Sequence, residues 1–92
     1  MKVTAVFHGV LSEWVGTDRA DFELSEGALF SGLLSAICKS YRHKMPDPLW
    51  DDQQNTFAKG VQAFSEEKRI NSPEEPLADG QEVKFFLMLA GG

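Results

Sequence analysis

Few side chains in this sequence are arranged for chemistry, and the reactive group that stands out belongs to the backbone. The chain closes on Phe85-Phe86-Leu87-Met88-Leu89-Ala90-Gly91-Gly92. At an average glycine usage of about 7%, a terminal glycine pair arises in roughly 0.5% of chains. The apolar run before it holds no charge and no proline, which reads as a buried strand leaving a domain rather than a frayed polar end. Lacking Cβ, Gly91 and Gly92 let another backbone approach closely. Fully extended, residues 89–92 span about 13 Å at about 3.3 Å per residue, enough to thread a channel that stops larger side chains. The group at the end is the main-chain carboxylate of Gly92, ionised at neutral pH because an α-carboxyl titrates near about 3.5. Such a carboxylate can attack the α-phosphate of ATP, and the acyl-adenylate formed is open to a sulfur or amine nucleophile. None of this needs a catalytic side chain from the protein itself. An inert terminal pair is the other reading of the same residues.

The remaining candidates carry less. His8, His43 and Cys38 lack metal-ligand spacing, so no metal site is expected. No glycine loop is built to cradle phosphate. Asp51 and Asp52 are adjacent and point apart on any regular element, which fits a solvated loop better than an acid–base pair. Glu66-Glu67 and Glu74-Glu75 read as solvated acid runs. Cys38 sits on the edge of a helical apolar stripe and reads as a packed, inert thiol.

Composition narrows the class. The chain has 92 residues, a net charge of −5 and 42% hydrophobic residues, which fits one small domain over residues 1–92. An acidic balance argues against a nucleic-acid partner and suits a basic protein partner. A lone cysteine gives no internal disulfide. No apolar segment is long enough to cross a bilayer, and the N-terminal run is too mixed for a signal peptide, so no membrane partner and a cytoplasmic location are expected.

The elements that must hold up the tail follow from periodicity. Lys2 to His8 alternates, with Val3, Ala5 and Phe7 on the core side. Gly9 ends that strand, and Val10 to Val15 suits one short helical turn. Thr17 to Leu24 alternates again and returns antiparallel. Ser25-Glu26-Gly27 predicts a helix start with Ser25 as cap. Leu29, Phe30, Leu33, Leu34, Ile37 and Tyr41 form its stripe, and Pro46 stops it. Asp47 to Thr56 predicts a loop with an apolar anchor. Phe57 to Phe64 reads as a third strand with a bulge at Gly60. Ser65-Glu66-Glu67 is its turn, Lys68-Arg69-Ile70 a short return, and Asp79-Gly80 a tight turn. Glu82 to Leu89 is the last strand, expected parallel to the first. This is an α+β sheet with one main helix across one face. Val6, Phe86 and Met88 then fall on the open face and form a docking patch beside the tail.

At this point the chain resembles the ubiquitin-like β-grasp sulfur carriers, above all the small subunit of molybdopterin synthase and the thiamine-pathway carrier. The resemblance rests on Phe7, on Trp14-Val15-Gly16-Thr17, and on Pro76-Leu77-Ala78-Asp79-Gly80-Gln81-Glu82-Val83-Lys84-Phe85-Phe86 closing on Ala90-Gly91-Gly92. It implies a β-grasp carrier, not an enzyme, with residues 89–92 as a protruding tail. It further implies that an E1-like adenylyltransferase activates Gly92 with ATP. A sulfurtransferase or cysteine desulfurase then supplies sulfur, giving a thiocarboxylate. A synthase large subunit accepts the tail, most typically in molybdopterin biosynthesis. Phe86, Met88, Leu89, Ala90 and Val6 would meet these partners, and the carrier itself binds no cofactor. A thiamine-pathway carrier or a modifier joined to lysines through Gly92 shares the first step. One difference is plain: such small subunits carry Pro-Pro-Val or a close variant where this chain has Leu87-Met88-Leu89, which restores backbone N–H donors.

Overall fold

The computed structural model describes residues 1–88. Seven strands and two helices follow one another as β1 (Lys2–Phe7), α1 (Val10–Val15), β2 (Arg19–Glu23), α2 (Phe30–Tyr41), β3 (Trp50–Asp51), β4 (Thr56–Phe57), β5 (Val61–Ser65), β6 (Lys68–Ile70) and β7 (Glu82–Leu87). Five of the strands form one mixed sheet in the order β2-β1-β7-β5-β6, and β3 and β4 form a separate ribbon. β1 runs antiparallel to β2 and parallel to β7, so strands from the two ends of the chain lie together at the centre.

Alternation predicts the sheet faces. Val3, Ala5 and Phe7 of β1 and Val83 and Phe85 of β7 point into the core and are closed to solvent. α2 lies over them, with Leu33 and Ile37 fully buried, each contributing about 1.5–3 kcal/mol by leaving water. Its rings mark how it crosses the sheet: Tyr41 meets Phe22 of β2 edge-on at 6.3 Å, and Phe30 stacks on Phe85 of β7 at 6.1 Å.

The start of α2 departs from expectation. Ser25 does not cap it; its carbonyl accepts from Ala28 N–H in a separate turn, and the helix begins at Phe30 after an extended Leu29. The orphan amides of the first turn are met from far along the chain instead. Phe30 N–H donates to the Glu75 carbonyl and Ser31 N–H to the Pro73 carbonyl, both at 2.8 Å. Leu29 therefore leaves the stripe and bridges to Pro76.

The middle of the chain is more built than a loop. After α2, 3-10 turns at Arg42–Lys44 and Asp47–Leu49 lead into the β3–β4 ribbon. Trp50 is buried there and meets Phe57 edge-on at 4.9 Å. Arg42 pins the segment, its Nε 3.1 Å from Asp52 Oδ1 and its terminal nitrogen 3.3 Å from Asp47 Oδ1. Asp51 instead accepts from the backbone N–H groups of Gln53 and Gln54. The two acids thus hold a turn together.

The single strand expected over Phe57 to Phe64 is two strands in two sheets. Gly60 is not a bulge: with φ of 101° it sits in a turn that separates β4 from β5. Only Val61–Ser65 joins the main sheet.

Candidate functional site

The open face of the sheet carries the even-numbered residues of β1, β5 and β7. Register sets the rows. Val6 lies between Arg19 and Lys84, and Lys84 lies beside Phe64. One row along, Phe86 sits opposite Gln62, and His8 follows β1 with its N–H donated to the Phe85 carbonyl. This brings three rings together. His8 lies flat on Phe86 with centroids 4.3 Å apart and planes 3° from parallel, while Phe64 meets Phe86 edge-on at 5.7 Å. Phe86 is thereby clamped in one orientation on a face that no helix covers. Met88 continues the patch outward at 48% exposure, far above the buried residues of β7.

Phe64, Phe86 and Met88 floor a groove of about 660 Å³ whose rim is Glu66, Glu67, Glu82 and Lys84. Val6 faces the same side of the sheet but does not line this groove. Glu82 is engaged by Arg19 at 3.3 Å and Lys84 at 4.0 Å. At the far corner of the face the Thr4 hydroxyl donates to Asp21 at 2.6 Å, and Lys2 lies 3.4 Å from the same carboxylate. That hydrogen bond first, then the Lys2 and Arg19 charges, holds the Asp21 carboxyl below its ordinary value.

The root of the tail is fixed on the other side of β7. Met88 N–H donates to the Gly60 carbonyl at 2.6 Å, using a donor that proline would lack. Leu87 closes an apolar notch of about 370 Å³ with Trp14, Pro46, Pro48 and Leu49. Of the residues the sequence nominates, Val6, Phe86 and Met88 are thus placed on the open face. Leu89, Ala90, Gly91 and Gly92 lie outside the described residues. His8 and Phe64 were missed, because their contact with Phe86 depends on strands far apart in the chain. The signal available for them was alternation itself, which puts both on the even-numbered side.

Among the described residues no group of three metal-ligating side chains gathers, and no helix is long and apolar enough to cross a membrane. Cys38 is half-buried against the core.

Solved structures share this architecture. The crystal structure of SAMP1 from Haloferax volcanii superposes with a TM-score of 0.82 at 15% identity, covering 100% of both chains. A protein from Pyrococcus furiosus assigned as molybdopterin converting factor subunit 1 gives 0.75 at 24% identity, covering 97% of this chain and 99% of its own. Urm1 from Trypanosoma brucei gives 0.74 at 21% identity, covering 99% and 95%. No protein-family profile matches the chain, and no curated protein sequence does. At these identities the likeness establishes the fold, and the fold is the ubiquitin-like β-grasp that the sequence resemblance implies.

Proposed function

We propose that this protein is a ubiquitin-like carrier whose Gly92 carboxylate is activated by an E1-like adenylyltransferase and then converted to a thiocarboxylate. The observation that supports this most directly is on β7. The strand presents Phe86 on an open face, Met88 follows it there, and in sequence the next residues are Leu89-Ala90-Gly91-Gly92. A partner that grips the face therefore has the chain end within about 20 Å of Phe86 and about 13 Å of Met88 at full extension. Activation balances simply. A Gly92 oxygen attacks the α-phosphate of ATP and the bond to pyrophosphate breaks; the outer sulfur of a partner's cysteine persulfide then displaces AMP to give an acyl disulfide, and a second thiol cleaves that S–S bond, releasing the thiocarboxylate and leaving a disulfide. The chain's own residues dock and orient; the activating partner supplies the phosphate chemistry, and a sulfurtransferase or cysteine desulfurase supplies the sulfur. Delivery to a synthase large subunit in molybdopterin formation is the use we favour. This matches what the Pyrococcus furiosus protein is assigned as.

A second use has its own support. A solved Haloferax volcanii chain of this fold, superposing with a TM-score of 0.78, is described as a small archaeal modifier protein. Gly92 joined to target lysines would follow the same activation.

Intact-mass measurement on protein from its native cell tests the reading. It shows whether Gly92 is terminal and whether one oxygen is replaced by sulfur. Gly-Gly remnants on target lysines would assign the modifier use instead. In a purified system with the activating enzyme and ATP, Phe86→Arg should lower adenylation at least about tenfold, the loss of a buried anchor at an interface. Its fold should stay intact. Unchanged adenylation by that variant, or by a chain lacking Gly92, refutes the proposal.

A further inference from the structure

The groove beside Phe86 has a chemistry of its own, resting on the docking role just proposed. Its floor is apolar, from Phe64, Phe86 and Met88, and its rim holds three carboxylates against one ammonium. Glu82 is already engaged by Arg19 and Lys84. Glu66 and Glu67 form no ion pair among the described residues. Lys68 and Arg69, which follow them, do not line the groove, although Arg69 pairs with Phe64 and so brings a further cation to the same face of the sheet.

The two acids also occupy backbone positions that do not favour them. Ser65 pairs with Lys68, so Glu66 and Glu67 are the two central residues of a hairpin turn, with φ of 53° and 67°. Such mirror-image turns are normally filled by asparagine and glycine. The chain places carboxylates there instead, at the mouth of an apolar groove.

We infer that this groove receives a segment of a protein partner in which an apolar side chain is flanked by lysine or arginine, and that Glu66 and Glu67 select it. The apolar side chain would sit on Phe64 and Phe86, and the flanking cations would meet the turn. Charge complementarity favours this occupant over an acidic segment or a nucleic acid, which the rim would repel. The net charge of −5 acts in the same direction at longer range.

Two synthetic hexapeptides test the idea on the full-length, isotope-labelled chain by NMR titration. One alternates lysine with leucine, the other glutamate with leucine. The basic peptide should shift the resonances of Phe64, Glu66, Glu67 and Phe86, and the acidic one should not. Glu66→Gln with Glu67→Gln should weaken the basic peptide about tenfold, the loss of two exposed ion pairs. Glu74→Gln with Glu75→Gln, an equal change of net charge elsewhere, should leave it unaltered. Glu66→Asn with Glu67→Gly suits the turn better and should melt higher while losing the same affinity, which separates binding from folding. Equal response to both peptides, no response to either, or undiminished affinity in the glutamine pair overturns the inference. None of these measurements involves Gly92. A failure here leaves the carrier reading standing, and failed adenylation leaves the groove's preference measurable.

Discussion

The same single methyl group should act with opposite sign at two glycines. At Gly60 the backbone has φ of 101°, and an added Cβ would lie 3.4 Å from the Met88 carbonyl oxygen and 3.7 Å from Leu87 Cδ1. Those distances are ordinary contact or close to it, so crowding adds little. The main cost is conformational: a left-handed backbone costs an L-residue about 1–2 kcal/mol. Against it, alanine restricts the unfolded chain and returns about 0.4–1 kcal/mol. The net is a loss of about 1 kcal/mol, or about 4–8 °C in melting temperature for a domain this small. Gly32 lies in the first turn of α2, and the nearest atom to its added Cβ is Ala28 Cβ at 3.7 Å. There alanine should stabilise by about 0.5 kcal/mol, or about 3 °C. Thermal melts of Gly60→Ala and Gly32→Ala by circular dichroism read both. A Gly60→Ala variant melting at or above the parent would refute the assigned turn. A lowered melt for Gly32→Ala would refute the placement of α2's first turn.

Two further outcomes follow from particular contacts. Hydrogen bonding from Arg42 first, and its charge second, holds the Asp52 carboxyl below its ordinary value. A folded pKa below the unfolded one stabilises above the unfolded value and is lost as pH falls through the folded one. The gap in melting temperature between the parent and Asp52→Asn should therefore be widest near neutrality and close on acidification through and below the ordinary carboxylate range; a gap unchanged by pH would deny that ion pair a role. Cys38→Ala should cost about 1 kcal/mol in urea unfolding, an ordinary core-edge truncation, and leave the proposed Gly92 adenylation as it is in the parent; abolished adenylation in a stably folded variant would make that thiol part of the chemistry.

Much of the scaffold is legible in the chain because alternation and burial agree. Val3, Ala5 and Phe7 repeat with period two and are the core face of β1. Phe30, Leu33, Leu34 and Ile37 repeat with helical spacing and are the buried face of α2. Failures occur where a distant residue decides. The first turn of α2 is satisfied by carbonyls of Pro73 and Glu75, so local capping at Ser25 was a false signal. Gly60 divides what periodicity runs together, because its left-handed backbone is a property of the turn and not of the pattern on either side. The site divides likewise. Phe86 and Met88 are readable from β7 alone, whereas the His8 and Phe64 contacts need the register of β1 and β5 against it. Glu66 and Glu67 look like solvated acids until the hairpin sets them beside the groove.

The position of β7 between β1 and β5 bears on how the protein is made. During synthesis β1 and β2 emerge early and can pair, but the other edge of β1 stays bare until β7 leaves the ribosome. α2 likewise waits for Pro73 and Glu75 before its leading amides find acceptors. Closure of the sheet is thus a late, long-range event, slow by the standards of locally wired domains. Because Phe86 takes its place against His8 only in that closing step, a nascent or broken chain lacks the aromatic surface that the proposed docking would use. The topology itself makes the aromatic cluster of the open face a product of completed folding.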